Sequence, residues 1–122
     1  MAAYSDVKAV TITADTVALD ADGISVAASV GNNAALTIGG ALASGGAVAL
    51  SHGRIVTILS AGNDAAKSFT VTGTDVNGDA QTESITGANA GTATGTKFFK
   101  TISGISAVGN PAGNVSAGVN AS

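Results

Sequence analysis

Three polar side chains, Asp75, Asn77 and Asp79, stand at every second position, a spacing that is common among calcium ligands. A calcium loop of the helix-loop-helix type also needs a glycine at its sixth position and a bidentate glutamate at its twelfth. Those positions hold Ala80 and Thr86. Because Asp, Asn and Gly are also the residues that form tight turns, we predict a plain turn without a metal ion.

Two other stretches have the spacing of ligand-binding loops but lack residues that such loops need. The segment LDADGI, residues 19–24, repeats the Asp-x-Asp-Gly pattern, and we interpret it in the same way, as a turn. Gly40 and Gly45 have the spacing of a phosphate-binding loop, but Gly46 and Ala47 replace the required lysine and hydroxyl residue. Neither stretch predicts a cofactor site.

The only pair that resembles a nucleophile and its base is Ser51 followed by His52. Neighbours in a strand point to opposite faces, and no acid is placed to orient the imidazole ring. His52 is the only histidine, so a cluster of imidazole metal ligands is excluded. We therefore predict no catalytic, cofactor-binding or metal-binding residues, no cofactor, and a protein that is not an enzyme.

The charge composition argues against two classes of partner. Charged residues make up 11% of the 122 residues and the net charge is -3. The four lysines and one arginine are scattered from Lys8 to Lys100, whereas nucleic acids and anionic membranes require clustered positive charge. There is no cysteine and no apolar run approaching the ~18 residues that span a bilayer. We expect a soluble protein without a cleaved signal, a nucleic-acid partner or a membrane partner.

We predict that the segments that position these residues are β-strands, because β-branched residues recur at alternate or consecutive positions with no helical spacing. Turn residues separate the strands every eight to twelve positions, as in antiparallel sandwiches and small barrels. We predict an all-β protein, an antiparallel β-sandwich or small β-barrel, with an extended N-terminal arm at residues 1–18 and a β-sandwich domain at residues 19–122. The predicted strands include VKAVTIT (7–13), GISVAAS (23–29), RIVTIL (54–59), SFTVTGT (68–74) and Val115 to Val119.

The hairpin around the Asp-Asn-Asp turn can be assigned a register by testing which residues share a face. A three-residue loop at residues 76–78, with Gly78 left-handed, places Phe69 opposite Ile85. It also places the two flanking aspartates opposite each other, which costs on the order of 0.5 kcal/mol, whereas burying an isoleucine contributes roughly 2 kcal/mol. A two-residue loop would turn the isoleucine to the other face, so we predict the three-residue loop.

The large apolar side chains define two further expectations about the core. The segment 54–59 has apolar residues on both of its faces and is expected to be a central strand covered on both sides. In the segment 97–108, Phe98 and Ile102 share one parity and the later apolar residues the other, so we expect a bulge near Gly104. Phe98 and its neighbour Phe99 are both placed in the core.

Five segments carry a resemblance to a group of small virion proteins of tailed bacteriophages, the head decoration or capsid cement proteins. They follow one another in order over nearly the whole chain beyond residue 18. The segments are LDADGI (19–24), GALASGG (40–46), RIVTILSAGND (54–64), FTVTGTDVNGDAQTESITGANAGT (69–92) and KFFKTISGI (97–105).

The resemblance implies a non-enzymatic protein on the outer surface of the phage head, assembled in the cytoplasm of the bacterial host. Its implied partners are the major capsid protein, whose neighbouring subunits it would tie together, and neighbouring copies of itself, with a trimer as one arrangement. Such proteins have no catalytic residues to transfer. We expect residues 1–18 to lie along an adjacent subunit and add a strand to an exposed edge. A tail or fibre component and a surface carbohydrate-binding β module remain as alternatives.

Overall fold

The computed structural model describes residues 20–120, and all regular secondary structure in this range is β-strand. The predicted all-β fold is therefore confirmed. The predicted N-terminal arm and the predicted strand at residues 7–13 lie outside the described residues. The strands are β1 Asp20–Ala28, β2 Ala43–Ser44, β3 Ala47–Ser60, β4 Ser68–Thr74, β5 Ala80–Thr86, β6 Thr92–Val108 and β7 Val115–Val119.

These strands form one antiparallel sheet in the order β1-β7-β3-β6-β4-β5, with β2 attached to β3 as a short hairpin. The two long strands β3 and β6 lie at its centre. β6 pairs with β3 through residues 92–102 and with β4 through residues 101–108, so it changes partners along its length. This exchange lets a single sheet bend and enclose one core, as expected of the predicted sandwich or small-barrel class.

The core is one cluster of small and medium apolar side chains with two phenylalanines. With aromatic residues at 3% of the chain, aliphatic side chains supply most of the buried surface. The buried apolar residues are Ile24, Val30, Leu36, Val48, Val56, Ile58, Phe69, Val71, Ile85, Phe99, Ile102, Ile105, Ala107, Val115, Ala117 and Val119.

The connection between β1 and β2 joins the sheet's edge strand to β6. Within residues 34–42, the Leu36 amide donates to the Ile105 carbonyl of β6 at 2.8 Å. Further along, the Leu42 amide donates to the Gly23 carbonyl of β1, also at 2.8 Å. Main-chain hydrogen bonds therefore link two parts of the sheet that are not neighbours in strand order, which closes one side of the core.

The β4–β5 hairpin has the predicted register. Phe69 pairs with Ile85, and both side chains are buried. The strands end at residues 74 and 80, and Gly78 has a φ of 86°, as the three-residue loop requires. This is the register expected if burial of the isoleucine outweighs the repulsion between the two facing aspartates.

Residues 20–24 of LDADGI form part of a strand where we predicted a turn, so this prediction was wrong for the described part of the segment. β1 begins at Asp20 and pairs with β7, with an irregularity between the pairs Asp20–Val119 and Ser25–Ala117. Residues that favour turns are here held extended by main-chain hydrogen bonds to neighbouring strands. The tendency of these residues to form a turn stabilises the chain less than pairing with the neighbouring strand does. A bulge accommodates the residues that do not fit the regular ladder.

The predicted central strand at residues 54–59 is confirmed in position but not in the covering of both faces. β3 pairs with β6 on one edge and with β7 on the other. Val56 and Ile58 are fully buried in the core, whereas Leu59 on the opposite face is 38% exposed. One face of this strand therefore lines the core, and the other is only partly covered.

Phe98 is the largest correction to the predicted core. Phe99 is fully buried, whereas Phe98 is 56% exposed. The predicted bulge near Gly104 is present, since Thr72 pairs with Gly104 and the next residue of β4 pairs with Ile102. Phe99 and Ile102 are three positions apart and both buried, so β6 also changes the face that it turns to the core between these two residues. Simple alternation along β6 could not predict this change, because the irregularity of the register lies partly on β3.

We predict that Phe99→Ala lowers the free energy of unfolding by about 3 to 5 kcal/mol, because it leaves a cavity in a core that has few large side chains. Phe98→Ala is the matched control, and its effect should be about 1 kcal/mol or less, because the ring is half exposed. Urea denaturation followed by circular dichroism measures both. Equal losses for the two variants would contradict the assignment of faces on β6.

Candidate functional site

The Asp75 carboxylate stabilises the hairpin turn. One carboxylate oxygen, Oδ1, accepts hydrogen bonds from the amides of Asn77 at 2.8 Å and Asp79 at 3.0 Å. The Gly78 amide donates to the Asp75 carbonyl at 3.1 Å. This is an Asx-type turn, in which the aspartate takes the place of a main-chain acceptor. The turn predicted at this position is present.

The other candidate residues are spread along the chain and do not converge. Ser51 Oγ lies 3.2 Å from His52 Nδ1 on an exposed part of β3, so the expectation that these two side chains point to opposite faces is wrong where the pairing of β3 with β6 is irregular. Within residues 20–120 there is no pocket and no group of three or more His, Cys, Asp or Glu side chains placed to hold a metal ion. Gly45 and Gly46 have φ values of 64° and 83° and form the turn between β2 and β3.

A buried carboxylate, which the sequence analysis did not single out, holds β5 against β6. Glu83 is only 9% exposed. Its Oε2 accepts hydrogen bonds from the Thr96 amide at 2.6 Å and the Thr96 hydroxyl at 3.1 Å, and its Oε1 lies 3.4 Å from the Lys97 amide. The predicted hairpin register could have revealed it, because that register placed Glu83 opposite Val71 on the core-facing side.

Glu83 is needed because β6 is irregular at this point. Ile55 of β3 pairs with Phe98, and Thr57 pairs with Thr94, so β6 carries extra residues between two successive pairs. A bulge of this kind leaves main-chain amides without ladder partners. The carboxylate accepts from those amides in bonds that are stronger than neutral ones, so Glu83 stabilises the fold and is not free to act on a ligand.

An exposed apolar surface lies where β3, β6 and the β4–β5 loop meet. We define the Phe98 surface as Gly53, Val76 and Phe98. Val76 and Phe98 are 59% and 56% exposed, yet both pack over the same glycine. A Cβ built on Gly53 would lie 2.6 Å from Val76 Cγ1 and 3.2 Å from Phe98 Cβ, so only glycine fits there without a shift of these side chains.

Charged residues of both signs lie beside the Phe98 surface. Asp75 and Asp79 lie in the loop on either side of the valine, whereas Lys97 and Lys100 lie on β6 near the phenylalanine. Asp79 and Lys97 are exposed, and the other two are partly exposed. Among the described residues these acids and lysines form no ion pair with one another. Thr74 pairs with Thr101, which brings Asp75 beside Lys100, and Lys97 Nζ donates to the Thr82 carbonyl at 2.8 Å. The acids and the lysines are therefore neighbours at one side of the apolar centre.

The outward face of β4 and β5 is rich in hydroxyl groups. These side chains alternate with the buried apolar residues, as the two-residue period of a strand requires. They are short and carry no charge. The members are Ser68, Thr70, Thr72, Thr74, Thr82, Ser84 and Thr86.

Comparisons with known proteins give no match for this chain among family models, curated proteins or solved structures. Over residues 20–120, no helix has the length and apolar character needed to cross a membrane. The functional argument therefore depends on the residues and on their arrangement in the fold.

We predict that Glu83→Gln lowers the free energy of unfolding by about 1 to 3 kcal/mol. The glutamine side chain loses the charge-assisted hydrogen bonds to the bulge, and its NH2 group would face main-chain N–H groups that are themselves donors. Asp79→Asn is the control. This exposed acid contributes only main-chain atoms to the turn, so its replacement should change stability by no more than about 0.5 kcal/mol. Urea unfolding that shows the same small change for both variants would contradict the role given to Glu83.

Proposed function

We propose that this chain is a structural virion protein, a decoration or cement protein that binds the outside of a tailed-phage head and bridges major capsid protein subunits. The resemblance of five successive segments to that group carries the proposal. In the structure these segments contribute to β1, β3, β4, β5 and β6, so the resemblance covers the strands of one sheet and not a single turn.

The exposed side chains support a role in packing against other proteins. Serine and threonine lose little side-chain entropy when they are ordered, so covering a hydroxyl-rich face costs less than covering a face of lysine and glutamate. The outward face of β4 and β5 has this composition. Low overall charge acts in the same direction, because few charged groups must be desolvated on contact.

The positions of the residues that could take part in catalysis or ligand binding also support a structural role. Asp75 closes a turn and Glu83 holds a bulge, so both carboxylates are engaged in bonds within the fold. The adjacent Ser51 and His52 are exposed on a strand. A subunit that touches several capsid subunits at once can bind firmly through contacts that are individually weak.

The proposal is tested on heads purified from the tailed phage whose genome encodes the chain. We expect quantitative mass spectrometry to find a copy number close to that of the major capsid protein, and the purified protein to rebind heads from which it has been removed. A copy number like that of a tail or fibre protein would contradict the proposal. Binding to glycans without binding to heads would instead support the carbohydrate-binding module.

The proposed role of the N-terminal arm gives a separate prediction. Deleting residues 2–14 should weaken or abolish head binding, because the strand-forming residues that would pair with an adjacent subunit are lost. The midpoint of thermal unfolding should stay near that of the full chain. A control that replaces residues 2–14 with a Gly/Ser segment of equal length separates the loss of chain length from the loss of these side chains. Full occupancy of heads by the deletion variant would contradict the role of the arm.

A further inference from the structure

We propose that Asn77 is a site of spontaneous covalent modification, at which the side-chain amide is lost through a ring formed with the main-chain nitrogen of Gly78. The product is an aspartyl or isoaspartyl residue in the β4–β5 loop. This modification goes beyond the proposed function and does not depend on it, because it is measured on the purified chain without any phage head.

The residue that follows Asn77 makes it different from every other asparagine of the chain. Of the eight asparagines, only Asn77 precedes a glycine. The reaction brings the nitrogen of the following residue against the asparagine side chain, and a side chain on that residue would hinder the approach. Gly78 has no Cβ and adopts main-chain conformations that other residues avoid. A Cβ built on Gly78 would meet no atom within 4 Å, so the space around it is open.

The reaction needs only water as a co-reactant. The main-chain nitrogen of Gly78 loses its proton and forms a bond to Cγ of Asn77, while the bond from Cγ to the side-chain nitrogen breaks and ammonia leaves with that proton. This closes a succinimide ring between the two residues. Water then adds to either of the two ring carbonyls and breaks its bond to the ring nitrogen, which gives an aspartate or an isoaspartate.

The position of Asn77 leaves its side chain accessible to this reaction. Residues 76–80 are exposed, so water reaches the site. The main-chain amide of Asn77 donates to Asp75 Oδ1, but its side chain makes no hydrogen bond with any residue in the range 20–120. The side-chain amide is therefore free to rotate towards the nitrogen of Gly78, and loops of this kind are more mobile than the strands that they connect.

The rate is limited by Asp75, which holds the attacking nitrogen. The Gly78 amide donates to the Asp75 carbonyl at 3.1 Å, and the carboxylate of the same aspartate accepts from the amides of Asn77 and Asp79 at 2.8 and 3.0 Å. The nitrogen of Gly78 must leave that carbonyl before it can turn to the asparagine side chain. Ring closure thus starts from a locally open loop, and Asp75 is a positioning residue that keeps the open form rare.

The pair Asp22–Gly23 shows how a strand suppresses the equivalent ring closure. This pair lies inside β1, where Gly23 is buried and its carbonyl accepts from the Leu42 amide at 2.8 Å. Ring closure requires rotation of the main chain between the two residues, and these contacts oppose such a rotation. An exposed turn imposes a weaker restraint, so the reaction is expected at Asn77 and not at Asp22.

The modification changes both the charge and the length of the loop. It adds one negative charge between Asp75 and Asp79, in a chain whose net charge is -3. The isoaspartyl form also adds a carbon atom to the main chain, next to the strands that pair Phe69 with Ile85. We therefore expect protein that has been stored to be a mixture of copies that differ in this loop.

The test is peptide mapping by mass spectrometry of the full chain during incubation in neutral buffer. The peptide that contains Asn77 should gain the mass difference between an OH and an NH2 group and separate into two products on chromatography, with fragmentation placing the change at residue 77. Asn77→Gln should abolish it, because the longer side chain would have to close a larger ring. Absence of product at Asn77, or equally fast conversion at another asparagine, would overturn the proposal.

A second measurement tests the part played by Asp75. Asp75→Ala should speed the conversion about tenfold or more, because the loop loses the two hydrogen bonds that the carboxylate accepts. The matched control is Asp79→Ala, which removes an exposed acid that gives only main-chain atoms to the turn and should change the rate by no more than about twofold. Equal rates for these two variants would contradict the positioning role of Asp75.

The unmodified chain gives a further check that does not depend on any variant being folded. Unfolding in urea removes every bond of the turn, so the unfolded chain should convert about tenfold or more faster than the folded chain. Conversion at the same rate in both states would show that the turn does not restrain Gly78, and would overturn that part of the proposal. Circular dichroism establishes which samples are folded.

Discussion

The structure depends on satisfying main-chain amides where one sheet bends around a core. β6 cannot stay regular along its length, because it pairs with β3 and then with β4. The bulge that lets it bend leaves amides of Thr96 and Lys97 outside the ladder, and Glu83 accepts hydrogen bonds from both. A buried acid in a strand is costly unless it is bonded, so the bulge and the carboxylate require each other.

The same irregularities create the exposed surface that the chain presents. Where β3 carries extra residues opposite β6, Gly53 leaves room for Phe98 and Val76 to pack closely on the outside. Phe99, one position away, fills the core. Adjacent phenylalanines thus serve two purposes, one supplying buried volume and the other an exposed aromatic surface. The hydroxyl face of β4 and β5 is regular, and its strands alternate without interruption.

Regular segments could be predicted from the residues, whereas of the irregular segments only the bulge near Gly104 could be. In the β4–β5 hairpin, alternation and a turn chemistry of Asp, Asn and Gly pointed to the same register, and Gly78 adopts the expected left-handed conformation. In LDADGI, local chemistry favoured a turn, but pairing with β7 and with the segment that follows β1 holds it extended. Prediction failed for Phe98 because its face depends on extra residues in another strand.

The sequence by itself determined the all-β class, the hairpin register, the short strand at Val115–Val119 and the absence of cysteine chemistry. These features follow from side-chain period, turn residues and composition, which are local properties of the chain. Only the tertiary structure decided that Glu83 is bonded to a bulge, and that Phe98 and Val76 meet over Gly53. Those outcomes depend on which distant strands become neighbours and where their registers slip, because a shift of one residue turns a side chain to the other face of the sheet.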